Sequence, residues 1–298
     1  MIHKNIKRVL TGVFAAIALF SCVAPIDINT RNSELVAVIY GQITDEHKYQ
    51  YIRVTSSSPY FDVKATMVVD DADVRITSSD GNEYLFVYEK DGYYKSKNIF
   101  AASSGVTYNL MVEVDFDKDG EMETYEASTT ILPNTTVDSV DIKLIDIMGY
   151  RHFAMNFYMQ EPPETSNYYL FRYIINDSLT NDKISKYLVT DDRMFNGEYI
   201  TGATITYFED ATDEKNLTAP GTDNDDRSDW VYPGDKIRLQ VINIEKGYYN
   251  FINECISEKN GENPFFGGPP SNITTNLSNG AIGYFTGFCI RESNAIVP

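Results

Sequence analysis

The sequence predicts an all-β protein with an N-terminal antiparallel sandwich and a second antiparallel β domain that contains one short helix. Three observations predict this fold class. Many short segments alternate between apolar and polar residues, which is the period of a half-buried strand. The chain contains 22 Tyr and 16 Phe, and aromatic residues favour strands. Gly, Asn and Asp recur between the alternating segments, where they favour turns.

The N-terminal domain is predicted over residues 35–132. Its first strands are "ELVAVIYGQI" and "QYIRVTSSS", and the clearest hairpin turns at Asp80-Gly81 within "ADVRITSSDGNEYLFVYE". "SGVTYNLMVEV" and "TYEASTTIL" add further alternating segments, and no helical period precedes Pro133. About seven short strands of this kind predict a sandwich of the immunoglobulin type.

The second domain is predicted over residues 138–298, after a linker in "LPNTTVDS". It contains alternating segments such as "NYYLFRYII" and "DKIRLQVINI". One segment, "EKGYYNFINECISEKN", has apolar side chains at helical spacing instead: Tyr248, Phe251, Ile252, Cys255 and Ile256. We therefore predict one amphipathic helix, near residues 246–258.

The N-terminus has the features of a secretory signal. Lys4, Lys7 and Arg8 precede an apolar run that ends at Phe20, and this run is shorter than the roughly 20 residues needed to span a bilayer. Residues 1–21 are therefore interpreted as a signal peptide. The ending "LFSC" resembles the lipobox of bacterial lipoproteins, although Phe20 departs from its usual small residue. The resemblance implies a lipidated Cys22 followed by a tether over residues 22–34; the alternative is a secreted protein with a chance cysteine.

The charge balance limits the classes of partner. The chain has 25 Lys+Arg against 43 Asp+Glu and a formal net charge of −18, and removal of the basic signal peptide increases the acidic excess. Nucleic-acid binding needs clustered cations, so we expect no nucleic-acid partner. Docking on anionic lipid is disfavoured for the same reason, and the lipid anchor is the expected membrane contact.

Two cysteines remain after Cys22. Cys255 and Cys289 are free to form a disulfide outside the cytoplasm. The alternative is two buried free thiols. Sequence spacing does not show whether the two Cα atoms approach each other, so both alternatives stay open.

The order of these segments resembles outer-membrane lipoproteins that carry domain of unknown function 4249, a family common in Bacteroides-type bacteria. The most specific segments are "YPGDKIRLQVINIEKGYYNFI" and "NLSNGAIGYF", and "DDRMFNGEYI" also fits. The resemblance implies a transthyretin-like N-terminal sandwich and a gene beside that of a TonB-dependent transporter. It supplies no catalytic residue.

The segment "DFDKDGEMETYE" matches the spacing of a calcium loop, with Asp115, Asp117, Asp119 and Glu126 as ligands. Both flanks alternate as strands, so no helix pair holds the loop, and Glu126 falls within the returning strand. We therefore favour a solvated hairpin loop without a tightly held ion and expect no cofactor. Calcium remains the alternative, with weak binding by the three aspartates.

Three further features have both a functional and a structural interpretation. Ser139 in "DSV" and Ser178 in "DSL" resemble the O-glycosylation signal of such bacteria, but triplets arise by chance. Phe265 and Phe266 in "NPFFGGPPSNI" form either a partner-docking surface or a packed Ω-type loop.

No common hydrolase, zinc or phosphate-binding motif occurs in the sequence.

The sequence therefore predicts a lipid-anchored outer-membrane protein without enzymatic activity. We expect a binding or accessory component that acts with a TonB-dependent transporter. The alternative is a structural or adhesive surface protein, and a hydrolase is the third possibility. The sequence does not identify the ligand or the side of the membrane on which the protein lies.

Overall fold

The computed structural model describes residues 35–57, 67–163, 165–218, 227–260 and 273–298. These residues contain 17 strands, two α-helices and one 3₁₀ turn, which confirms the predicted all-β class. Within the described ranges, no helix has the length and apolar character needed to cross a bilayer.

The strands before Pro133 follow the predicted alternation. They are β1 Ala37–Thr44, β2 Tyr51–Ser56, β3 Asp73–Ser78, β4 Glu83–Lys90, β5 Tyr93–Ser96, β6 Thr107–Val114 and β7 Glu123–Thr130. The later strands are β8 Ser139–Ile147, β9 Tyr150–Gln160, β10 Tyr168–Ile175, β11 Ser178–Leu179, β12 Leu188–Asp191, β13 Tyr199–Asp210, β14 Trp230–Val231, β15 Lys236–Asn243, β16 Ile282–Phe288 and β17 Ile290–Ile296. The helices are α1 Glu214–Thr218 and α2 Lys246–Asn260, and the 3₁₀ turn is Ile184–Lys186.

The first sheet has eight strands in the order β16-β1-β2-β5-β4-β3-β6-β7. Its pairs are antiparallel except β1 with β16, which run parallel. The sequence places β16 in the second domain, but the structure pairs it with the first strand of the chain. Gly283 permits this pairing, because a Cβ there would lie 2.0 Å from the backbone oxygen of Ile39. Alternation predicts a strand but not its partner, which explains the difference.

The first sheet is rolled, and the segment just before β16, which contains Asn276 and Ser278, bridges its two edge strands, β7 and β16. The side-chain amide of Asn276 donates to the backbone oxygens of Ser128 in β7 and Phe285 in β16. Ser278 exchanges hydrogen bonds with the backbone of Glu126. The inner sides of all eight strands contribute to one apolar cluster, which includes the fully buried Ile39 and Val112.

Two further sheets form a sandwich in the second half of the chain. One has the order β11-β10-β15-β17, with β12 also paired to β10, and the other has the order β14-β13-β9-β8. Buried side chains from both sheets meet in a second cluster that includes Phe157, Phe171, Phe208 and Leu239. This arrangement agrees with the predicted antiparallel β architecture, apart from a short parallel pair between β13 and β14.

The predicted helix near residues 246–258 is present as α2. Its apolar face, with Tyr248 and Ile252, packs against Leu170 and Ile242 on the outer side of the β10–β15 pair and against Phe288 of β16. The structure corrects the expectation of a single helix by adding α1 and the 3₁₀ turn. Elements of one turn are too short to produce a helical period in sequence.

Candidate functional site

An apolar cleft of about 490 Å³ lies between the two sheets of the second sandwich, next to α2. Its size falls in the range of about 300–1,000 Å³ that is typical of small-molecule sites. The lining comes from β9, β10, β12, β13, α2 and the segments before and after β12: Phe157, Phe171, Tyr187, Leu188, Val189, Thr190, Phe195, Ile200, Ala203, Thr204, Ile205, Asn253 and Ile256.

One of the strands that line the cleft, β13, is irregular along the part that faces it. Its register against β9 shifts between Thr201 and Ala203 and again between Thr204 and Thr206. Such bulges bend a strand and increase its local twist. Gly202 has φ +78°, and a Cβ there would lie 2.8 Å from the Tyr158 hydroxyl oxygen, so glycine is required at the first irregularity.

Three phenylalanine rings form much of the apolar wall. Phe157 and Phe171 are buried and their ring centroids are 5.2 Å apart. Phe195 approaches from the turn after β12, and its ring centroid is 6.5 Å from that of Tyr169. Two of the three rings, Phe157 and Phe171, are therefore held by strands, and the third, Phe195, is carried by a turn.

The few polar atoms of the cleft are bonded to their own neighbours. The Thr204 hydroxyl donates to Asn156 Oδ1 (2.6 Å), and the Asn253 amide donates to the backbone oxygen of Tyr249 (3.0 Å). The Thr190 hydroxyl donates to the adjacent backbone oxygen. Among the described residues that line the cleft, none is charged. The surface therefore offers mainly apolar contact.

A buried carboxylate holds the turn that carries Phe195. Glu161 has an exposure of 0%. Its carboxylate accepts hydrogen bonds from the Gly197 N–H (2.6 Å), the Asn167 amide (2.7 Å) and the Tyr169 hydroxyl (3.2 Å). Burial and the neighbouring Glu161 carboxylate raise the pKa of Tyr169. The neutral tyrosine is therefore maintained as a donor to this carboxylate.

Asp192 stabilises the beginning of the same turn, before Phe195. It is buried, and its carboxylate accepts from the Asn167 backbone N–H at 2.6 Å. Its backbone oxygen accepts from the Phe195 N–H at 2.8 Å. The turn between residues 192 and 198 is thus preorganised by two buried acids on either side of Phe195.

The predicted calcium ligands are brought together only in part. Asp115, Asp117 and Asp119 each offer a carboxylate oxygen within 4.8 Å of the others. Each carboxylate already accepts a hydrogen bond from a backbone N–H of its own loop. Glu126 lies in β7, opposite Met111, as expected for a strand residue. Weak calcium binding stays a prediction.

The two remaining cysteines are free thiols in different parts of the molecule. Cys255 lies on α2 beside the third apolar cluster, and Cys289 is buried in the first. Burial and the nearby Glu254 carboxylate raise the pKa of Cys255 to about 11. Because both thiols are free, the structure contains no disulfide between Cys255 and Cys289.

The predicted glycosylation sites are accessible. Ser139 begins β8 and Ser178 begins β11, and both are exposed. Ser178 follows a tight turn in which Asn176 and Asp177 have positive φ. Modification of either serine stays a prediction. Cys22, Phe265 and Phe266 lie outside the described residues.

Sequence reasoning did not identify the cleft. One signal was available: the turn that carries Phe195 belongs to the segment "DDRMFNGEYI". The predicted helix was correct, but the sequence did not show that Ile256 would line a cleft. The bulges of β13 arise from its pairing with β9 and leave no simple pattern of alternation.

The fold and the cleft together define a β-sandwich protein with an uncharged cleft in its second sandwich. The chain belongs to the family described as Domain of unknown function (DUF4249), whose sequence profile matches residues 23–293. No curated protein matches the chain.

Two solved structures have partial similarity. A two-domain fibronectin type-III segment of chicken tenascin has 12% identity over 66% of this chain and 86% of its own, with a TM-score of 0.16. A mutant of Salmonella alpha-2-macroglobulin has 8% identity over 70% of this chain and 13% of its own, with a TM-score of 0.21. At these TM-scores, neither similarity carries an argument about function.

Proposed function

We propose that this protein is a lipid-anchored, non-enzymatic binding component of the bacterial outer membrane that acts with a TonB-dependent transporter. The observation that carries the binding role is the uncharged cleft of about 490 Å³, bounded by two sheets, a helix and a preorganised turn. Apolar concave sites with a few placed polar groups are the usual form of small-molecule sites.

The anchor and the partner are supported by the sequence. The segment before Cys22 resembles a lipobox, and lipidation by more than one acyl chain gives stable membrane attachment. Members of the family are expected beside TonB-dependent transporters, which import ligands through the outer membrane. A binding protein held at the same membrane would deliver or retain such a ligand.

One observation favours the alternative of an adhesive surface protein. Tyr51 and Tyr93, on the outer side of the first sheet, are 39% and 40% exposed. Cations lie over neighbouring rings: Arg53 is 5.2 Å from the centroid of Tyr93, and Lys95 is 4.2 Å from that of Tyr49. Exposed aromatic and cationic side chains on one face are suited to macromolecular contact.

Affinity purification of the tagged chain from solubilised outer membrane of the producing bacterium tests the proposal. We expect the wild-type chain to partition into detergent and to retain a TonB-dependent transporter. The Cys22→Ala chain should be soluble, because it lacks the acyl chains. Retention of surface-fibre subunits in place of a transporter, with loss of this retention in a Tyr51→Ala, Tyr93→Ala variant, would support the adhesive alternative.

A further inference from the structure

We infer that the cleft binds one neutral, mainly apolar small molecule and that Phe195 determines its specificity. This inference rests on the proposed binding role and adds the class of ligand and the residue that selects it. It follows from the charge, the shape and the support of the cleft.

The charge of the cleft favours a neutral ligand. The whole chain has a formal net charge of −18, yet the described residues that line the cleft are all uncharged. A charged group that entered this surface would lose its hydration without gaining an ion pair, which is costly. The acidic excess of the chain also repels anions at long range.

The volume of the cleft favours a compact molecule. Two sheets and α2 bound a volume of about 490 Å³, which matches a ligand of drug size. The lining is dominated by apolar side chains such as Phe157, Phe171 and Ile205, which offer surface contact without a preferred direction.

Phe195 is the wall residue with the most specific support. It is carried by a turn, whereas Phe157 and Phe171 are fixed within strands. The turn is fastened by Glu161, through the Gly197 N–H, and by Asp192. The ring is thus held in place without being part of a sheet, so its replacement changes the cleft while both sheets keep their pairing.

A matched pair of fluorescent probes tests the ligand class. N-phenyl-1-naphthylamine is neutral and apolar, and 8-anilino-1-naphthalenesulfonate has the same rings with an added sulfonate. Both are titrated into the soluble Cys22→Ala chain, since its lack of acyl chains avoids probe uptake by micelles. We expect one neutral probe per chain, bound at least about tenfold more tightly than the anionic probe.

Two substitutions on one strand locate the site. Ala203→Trp places a large ring in the mouth of the cleft, whereas Thr201→Trp places it on an exposed residue outside the lining. We expect Ala203→Trp to weaken binding of the neutral probe at least about tenfold and Thr201→Trp to leave it within about twofold. Thermal unfolding by circular dichroism verifies that both variants are folded.

Specificity is tested with Phe195→Ala. We expect it to change the affinity ratio between the neutral probe and a bulkier neutral analogue in favour of the larger molecule, with retained folding. Equal binding of the neutral and anionic probes, or equal effects of the two tryptophan variants, would overturn the ligand class or the site. An unchanged size preference in Phe195→Ala would overturn its role.

The two proposals fail in different ways. If the neutral probe binds as expected but no transporter is retained, the inference about the cleft stands and the proposed partnership is wrong. If a transporter is retained but the cleft does not bind the neutral probe, the ligand inference alone is wrong.

Discussion

Removal of the Glu161 carboxylate should destabilise the turn beside the cleft. Glu161→Ala leaves the Gly197 N–H, the Asn167 amide and the Tyr169 hydroxyl without their acceptor. An unsatisfied buried donor costs about 1–3 kcal/mol. Relief of burying a carboxylate offsets part of this cost. We therefore expect a loss of about 3–5 kcal/mol in the free energy of unfolding.

The isosteric variant separates charge from hydrogen bonding. In Glu161→Gln, one oxygen can still accept from Asn167 and Tyr169, which share Oε1. The new amide nitrogen then faces the Gly197 N–H, so one hydrogen bond is lost. We expect a smaller loss of about 1–2 kcal/mol, together with faster amide exchange at Gly197.

Urea unfolding followed by circular dichroism measures both variants. Glu198→Ala is the matched control, because Glu198 is an exposed acid in the same turn and its loss should change stability by less than about 0.5 kcal/mol. If Glu161→Ala unfolds at the wild-type urea concentration, the three hydrogen bonds do not support the turn and this reasoning is refuted.

Three further predictions concern other parts of the chain. Isothermal titration should detect only millimolar calcium binding; a micromolar site that disappears in Asp117→Ala, Asp119→Ala would contradict the interpretation of the acidic loop. Gly283→Ala, with φ +108° and a Cβ 2.0 Å from a backbone oxygen, should lower the urea stability by at least about 3 kcal/mol. Gly280→Ala is the control, because an added Cβ there meets open space, and it should lower the stability by only about 1–2 kcal/mol. Equal losses of stability in the two variants would refute the close approach of Gly283 to Ile39. Because the pKa of Cys255 is raised to about 11, its alkylation by iodoacetamide should be slow at pH 8 and accelerate as pH rises towards 11, and rapid reaction at pH 8 would contradict the raised pKa.

The parts of the fold that were predictable depend on local physics. The Asp80-Gly81 turn between β3 and β4 and the apolar face of α2 follow from backbone preference and periodicity over adjacent residues. These signals do not require knowledge of distant contacts. They were sufficient for the all-β class and for the position of the main helix.

The remaining parts depend on contacts that sequence does not encode locally. Gly283 in β16 looks like an ordinary strand glycine until Ile39 is placed beside it. Glu161 is of a residue type that is usually exposed, but two donors from the segment that follows it and a third from the distant Gly197 satisfy its buried carboxylate. The cleft is lined by the part of β13 whose register against β9 is irregular. Long-range pairing therefore determines the site, whereas local preference determines the elements.

Hydrogen exchange of the Cys22→Ala chain with and without N-phenyl-1-naphthylamine tests the central claim most directly, namely that the cleft of the second sandwich is a preformed site for a neutral apolar ligand. We predict slower exchange on probe binding in residues 187–205 and around Asn253 and Ile256, with unchanged exchange in the first sheet between Asp73 and Val114. Protection confined to the first sheet, or no protection at saturating probe, would contradict the claim.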